Sequence, residues 1–307
     1  MTRLEAEWLS QEATQRVLTM LTDGGHDAFV VGGCVRNTLL NAPVADIDIS
    51  TSAAPQQVVD LAEKSGLKAV PTGIDHGTVT VVCDHHPFEV TTFRRDVETD
   101  GRRAVVEFSS SVAEDAARRD FTMNALYARA DGSIVDPLGG MTDLLSRRVR
   151  FVGNPSDRIE EDYLRALRYF RFHAQYGDPY HGVDTEALAA ISQHLNGIAR
   201  LPAERIGAEM IKLLSASDPS PSVAAMEQSG VLMRVLPGAS SLSMAPLVHF
   251  ERLHGAGPDP IRRLAVLGGE DADDRLRLSR RQRKQLADIL RFIGNPVGEA
   301  EIAWRGG

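Results

Sequence analysis

The 307-residue chain is 43% hydrophobic and 25% charged, with a formal net charge of −8. This is the composition of an ordinary globular protein, and the length suits two domains or one domain with a helical extension. It excludes a disordered tail, a collagen-like fibre and a disulfide scaffold, the charge argues against a nucleic-acid binder that uses its whole surface, and no stretch approaches the ~18 apolar residues that span a bilayer.

Up to about residue 150, short β-rich runs alternate with amphipathic stretches. QEATQRVLTMLTD (11–23) predicts a helix, AFVVGG (28–33) a strand ending in paired glycine, DIDIS (46–50) a strand and PQQVVDLAEKSG (55–66) a second helix. GTVTVVC (77–83) and FEVTTF (88–93) read as strands with a hairpin turn at Asp84-His85-His86, and Thr99–Ser111 reads as a mobile polar loop. NALYAR and SIVD add two more strands. After residue 157 the pattern is helical, through DRIEEDYLRALRYFRFHAQYG, DTEALAAISQHLNG, LPAERIGAEMIKLLSA, PSVAAMEQSG and LSRRQRKQLADILRFIG, with Gly and Pro as stops. The expected fold is α+β: a head with a small mixed β-sheet and helices over residues 1–135, then an all-α neck over 136–215 and a helical body over 216–307. Cys34 and Cys83 show neither a pairing motif nor metal-ligand spacing, and the charged N-terminus is no secretory signal, so a cytoplasmic setting is expected.

Three features concentrate the chemistry. In VVGGCVRNTLL (30–40), Gly32 and Gly33 follow an apolar strand and precede a helix. Paired glycine there lets backbone N–H groups come close to a ligand, and a helix N-terminus favours an anion. In Asp46-Ile47-Asp48-Ile49, strand positions i and i+2 share a face ~6–7 Å apart. Two carboxylates on one face, with isoleucines buried on the other, make a platform for a divalent metal; alone, such a pair is more often a solvated strand end. Glu89, between Phe88 and Val90, adds a carboxylate on a later strand, or is simply an exposed alternating residue. Together the three acids suit two Mg²⁺ ions ~3.5–4 Å apart, the arrangement for in-line phosphoryl transfer.

These residues, with four later motifs, resemble the class II CCA-adding enzyme and bacterial poly(A) polymerase family of the polymerase-β-like nucleotidyltransferase superfamily. GGCVRNTLL with DIDI is similar to its first motif, and Arg118-Arg119-Asp120-Phe121-Thr122-Met123-Asn124-Ala125 to its RRDFTxNA motif. Asp136-Pro137-Leu138-Gly139-Gly140 resembles the DPxGG hinge, and residues 161–172, EDYLRALRYFRF, the EDxxRxxRxxRF motif. Glu204-Arg205-Ile206, with Glu209 and Lys212, resembles the ERIxxELxKLL helix. The five motifs stand in the expected order across residues 28–214. Two departures stand out: Asn37 replaces the Asp of GGxVRD, and the C-terminal tail that grips tRNA looks shortened or absent.

The resemblance implies an enzyme that adds CCA to the 3′ end of tRNA from CTP and ATP with Mg²⁺, with no membrane and no obligate protein partner. CC-adding, A-adding and poly(A)-adding activities share its motifs. On the helix read over 158–175, Leu164, Leu167, Phe170 and Ala174 form the apolar arc, and Asp162 and Arg165 are i, i+3 neighbours on the other side. That pair is either an intrahelical salt bridge or a base reader. As a reader, the carboxylate accepts from the exocyclic amine of C or A and the guanidinium donates to the adjacent ring nitrogen or carbonyl. A base lacking that amine would leave buried acceptors unpaired, at ~1–3 kcal/mol each. The resemblance implies the same role. Arg119, Asp120 and Asn124 suit a ribose hydroxyl and phosphate oxygens, and Arg36 suits the β/γ-phosphates, with Phe121 in the core and Arg118 solvated. Arg168 is expected in the nucleotide channel, and Arg171, Arg280 and Arg281 on the path of the RNA. Only four of the 34 basic residues are lysine, a bias that a GC-rich genome would produce; the arginine clusters at 147–171 and 276–284 could meet phosphates, although solvated helix faces would look the same. Two remote alternatives are a DHH phosphoesterase, suggested by Asp84-His85-His86, and a non-catalytic RNA-binding protein.

Overall fold

The computed structural model describes residues 3–99 and 104–293. They fall into two compact units dividing between Asn154 and Pro155, so residues 136–154, expected at the start of the neck, lie in the first unit, and the rest of the neck shares the second with the body. No described helix is long and apolar enough to cross a membrane.

The first unit is built on a mixed sheet of seven strands: β1 (Ala28–Val31), β2 (Asp48–Thr51), β3 (Lys68–Gly73), β4 (Thr78–Cys83), β5 (His86–Thr92), and, after a separate hairpin of β6 (Arg94–Thr99) and β7 (Ala104–Phe108), β8 (Tyr127–Ala128) and β9 (Ile134–Val135). Their order is β3-β4-β5-β2-β1-β8-β9. Every neighbouring pair in it is antiparallel except β2 with β5, which run parallel with Asp48 opposite Glu89 and Ile49 opposite Val90.

Period-two alternation gives the sheet two unlike faces. Ile49, Val79, Val81 and Val90 are fully buried on one face, the face against which helices Glu12–Asp23 and Pro55–Lys64 lie. The opposite face carries Asp48, Ser50 and Glu89. Next to them on β1, Phe29 stacks on Phe93 at 6.0 Å and meets Tyr127 edge-on at 6.0 Å, beneath the helix Val112–Ala117 that contributes Ala116 to the same apolar cluster. Apolar burial thus covers both faces of β1, whose four residues are all buried, but leaves an acidic strip on β2 and β5.

Three expected elements differ. DIDIS begins its strand only at Asp48, so Asp46 and Ile47 lie in the connection before β2. Part of the segment Thr99–Ser111, read as a mobile loop, is strand: β7 pairs antiparallel with β6, the β-branched run in AVVEF overriding its polar surroundings; residues 100–103 lie outside the described residues. The single helix read over 158–175 is two, Pro155–Glu161 and Leu164–Tyr176. The break falls at Asp162, whose Oδ1 accepts from Leu164 N at 3.1 Å, the local side-chain to backbone bond by which Asp competes with a continuing helix. Strand β3 was not anticipated.

Asp84-His85-His86 takes the expected hairpin geometry. Cys83 pairs with His86, and Asp84 and His85 both have positive φ, +49° and +65°, the two-residue turn that matches strand twist. In the glycine-rich hinge, Asp136 Oδ1 and Oδ2 accept from the amides of Gly140 and Met141 at 2.8 and 3.0 Å, and a Cβ on Gly140 would stand 2.1 Å from the Thr122 carbonyl oxygen. The obstacle is backbone, so Gly140→Ala should lower unfolding free energy by about 2–3 kcal/mol in a urea titration; a change under 0.5 kcal/mol would contradict this close approach.

Candidate active site

The parallel register sets Asp48 and Glu89 side by side on the open face, with Glu89 exposed and Asp48 half-buried. Asp46, two residues upstream in the connection, is exposed. Burial, then the Glu89 carboxylate, raises the pKa of Asp48; the Arg119 guanidinium opposes this and Asp46 adds to it. The carboxylates of Asp46, Asp48 and Glu89 thus crowd like charge together, and the Arg119 guanidinium offsets it only in part. Among the described residues no three carboxylates, imidazoles or thiols are gathered closely enough to hold a metal ion as they stand. The fit to a divalent cation rests on donor chemistry: hard oxygen ligands and surplus charge on one face.

Arg119 is held rather than free. Its Nε donates to Tyr127 Oη at 3.0 Å, and its Nη2 to Asp115 Oδ2 at 3.1 Å and Ser50 Oγ at 3.3 Å. Tyr127 Oη donates in turn to Asp115 Oδ2 at 2.8 Å. Burial opposes the charge of Arg119, but Tyr127 and Asp115 outweigh it and raise its pKa. Burial would likewise raise Asp115, but Arg119 and Arg118 hold its carboxyl below the usual range. Arg118, expected in solvent, instead donates its Nε to Asp115 Oδ1 at 2.9 Å. Sequence reasoning missed Asp115, Ser50 and Tyr127 as the frame of this arginine. The i, i+3 and i, i+4 spacing of Asp115 to Arg118 and Arg119 was the available signal.

At the glycine turn, Gly32 has φ +70°, a conformation that favours glycine, and the helix Gly33–Leu39 follows immediately. Arg36, 7% exposed, donates through Nη1 to Asn124 Oδ1, and Asn124 Nδ2 donates to Asp120 Oδ1 at 2.8 Å. Asp120 Oδ1 also accepts from Phe121 N at 2.8 Å. The turn, Arg36, Arg119, Asp120 and Asn124 therefore belong to one region of the first unit, as the two motifs predict, while Phe121 is fully buried as a core residue. Cys34 beside them is no nucleophile: burial, with the charge of Asp48, pushes its thiol up to about 11.

In the helical unit, Asp162 and Arg165 do not pair through their side chains. Asp162 Oδ2 accepts from Arg205 Nη2 at 2.7 Å, which gives the ERI segment a role that its sequence did not disclose. Arg165 Nη1 donates to Glu161 and to the Arg158 carbonyl. Each polar head is thus fixed by its own partner. Arg168 lies over the Phe172 ring at 5.4 Å. Arg171, expected to meet RNA, is 9% exposed, and its Nε is bound to Glu209 Oε2 at 2.6 Å and its Nη1 to Gln175 Oε1 at 3.1 Å. Its guanidinium joins two helices instead of facing outward, because a charge this buried requires a partner. Arg280 and Arg281 are exposed in the first turn of the helix Arg280–Leu290; Arg281 and Lys284 line an open cavity with Ile289 and Phe292.

A model of the poly(A) polymerase head domain matches residues 28–150, and a model described as the probable RNA- and SrmB-binding site of polymerase A matches residues 182–242. Mitochondrial CCA tRNA nucleotidyltransferase 1 of Mus musculus is 36% identical over 265 residues, 86% of this chain and 61% of that protein. The CCA-adding enzyme of Levilactobacillus brevis is 38% identical over 222 residues, 72% of this chain and 54% of that enzyme. This chain thus spans only 61% of the length of the first of these relatives and 54% of the second. The crystal structure of the Bacillus stearothermophilus CCA-adding enzyme in complex with CTP superposes with a TM-score of 0.77 at 31% identity, covering 96% of this chain and 74% of that one.

The raised pKa of Asp48 has a consequence for stability. An acid whose pKa is higher folded than unfolded costs stability as pH rises from the unfolded value through the folded one. Asp48→Asn should therefore melt above the parent at pH 7 without divalent cation, and the gap should close toward pH 3. A gap of opposite sign, or one indifferent to pH, would contradict the crowding of charge on β2 and β5.

Proposed function

Since the chain belongs to the class II CCA-adding enzyme and poly(A) polymerase family, we propose that it adds C, C and A to the 3′ end of tRNA from CTP and ATP, without a nucleic-acid template and with Mg²⁺. The observation that carries the chemistry is the register pairing of Asp48 with Glu89, with Asp46 just upstream. We assign metal binding to Asp46 and Asp48, with Glu89 as the third acid. Bound there, Mg²⁺ would supply Lewis acidity toward the attacking 3′-hydroxyl and the departing pyrophosphate.

The chain's own groups do the rest. The turn at Gly32 and Gly33 and the buried Arg36 receive the β- and γ-phosphates, where a fixed guanidinium offers several donors at once. Arg119, Asp120 and Asn124 hold the ribose and phosphate oxygens. Because Asp115 and Tyr127 lock Arg119, it meets the nucleotide with little ordering left to do. Asp162 and Arg165 read the base. The carboxylate of Asp162 has two oxygens and about four lone-pair sites, so the bonds from Leu164 and Arg205 orient it and leave acceptor capacity for an exocyclic amine. Arg168 lines the nucleotide channel. Contact with RNA falls to the exposed Arg280 and Arg281, next to a cavity whose wall includes Phe292, a pairing of cation and aromatic ring that suits single-stranded RNA. The setting is cytoplasmic, consistent with two buried free thiols.

CC-only, A-only and poly(A) addition would use the same residues, and products sized to one nucleotide separate them. Transcripts of tRNA ending at the discriminator base, at C and at CC, each given CTP, ATP or both with Mg²⁺, should be extended to CCA and no further. An unbounded run of A, or addition that stops after CC, would move the chain to a different activity of its family. Asp46→Ala should reduce incorporation by at least 10³-fold while leaving RNA binding within about twofold; retained activity would remove the metal assignment.

A further inference from the structure

The side chain of Asn37 makes bonds that only an amide can make together. Its Oδ1 accepts from Arg36 Nε at 3.1 Å and Nη2 at 2.9 Å, and its Nδ2 donates to the Pro43 carbonyl oxygen at 2.7 Å. The neighbours fix the orientation of the amide. Guanidinium groups only donate and a carbonyl only accepts, so the reverse placement would set donor against donor and acceptor against acceptor. From Asn37 the bonds continue through Arg36 to Asn124 and on to Asp120. On the other side, Pro43 lies in the connection that leads to Asp46, whose start is held by Asn41 N to Thr38 O at 3.1 Å and Ala42 N to Asn37 O at 2.8 Å.

We propose that Asn37 is a positioning residue with two separable functions: its carbonyl aims the Arg36 guanidinium at the phosphate site, and its amide nitrogen anchors the connection that carries Asp46. A carboxylate at this position would keep the first function and lose the second, since it has no hydrogen to give to Pro43 at neutral pH. Asn37 thereby ties the phosphate-binding turn to the acidic connection. The assignment rests on the reading of this region as the nucleotide and metal site.

Two variants separate the functions. Asn37→Asp preserves the acceptor for Arg36 and removes the donor; Asn37→Ala removes both. By hydrogen exchange on the protein without substrate, Asn37→Asp should speed exchange of the Asn41 and Ala42 amides about fivefold, as expected for loss of one hydrogen bond, with the amides of β1 and β5 unchanged. In single-nucleotide extension with CTP, Asn37→Asp should lower kcat about fivefold with KM within twofold of the parent, whereas Asn37→Ala should also raise KM at least fivefold. Asp at position 37 would thus rescue KM but not the connection. Unchanged exchange in Asn37→Asp would overturn the anchor, and equal KM in Asn37→Ala and the parent would overturn the aim of Arg36. A parent protein that extends no RNA would fail the proposed function, whereas the exchange result would still decide whether Asn37 anchors the connection.

Discussion

Parallel strands cannot be joined by a tight turn, so β2 and β5 require an intervening crossover. Here that crossover is the helix Pro55–Lys64 followed by β3 and β4, with β5 returning by a two-residue hairpin into the place beside β2. The parallel pairing then sets Asp48 opposite Glu89. Because side chains alternate with period two, a slip of one residue would move either acid to the helix-covered face. The fully buried Ile49 and Val90 prevent that slip, since exposing them and burying two carboxylates would be costly twice over. Hydrophobic burial on one face thus holds an unfavourable concentration of charge on the other.

The remainder of the first unit organises donors around that charge. Arg119 stands where it partly offsets Asp48, but its own frame is Asp115, Tyr127 and Ser50, so it is fixed whether or not a ligand is present. Tyr127 also belongs to the aromatic cluster with Phe29 and Phe93, which joins the rigidity of the core directly to the orientation of the Arg119 guanidinium. Arg36 is fixed in the same manner by Asn37 and Asn124. Arg36 is buried and Arg119 partly so, and the fold meets the ordering cost of both.

Much of this was legible in the sequence because the chemistry depends on short-range patterns. GGCVRN, RRDFTMNA and the alternation in FEVTTF disclosed the turn, the donor set and the acidic strand from residues close together in the chain. What remained hidden was set by contacts at long range. The start of β2 at Asp48 depends on its pairing with β1 and β5, which period-two counting over DIDIS cannot supply. The break at Asp162 depends on a side-chain bond to Leu164 N and on Arg205, 43 residues away. The burial of Arg171, expected on the path of the RNA, follows from its bond to Glu209 on another helix, 38 residues away. AVVEF in the segment read as loop carried a strand signal that its polar neighbours concealed.

The account stands on the surplus of negative charge at Asp46, Asp48 and Glu89 being a divalent-cation site. Binding of Mn²⁺ to the nucleotide-free protein, followed by the loss of free Mn²⁺ signal in electron paramagnetic resonance, tests that most directly. The parent should bind, and Asp48→Asn should weaken binding at least tenfold while remaining folded. Equal Mn²⁺ binding by the parent and Asp48→Asn would contradict the account and place the cation elsewhere in the molecule.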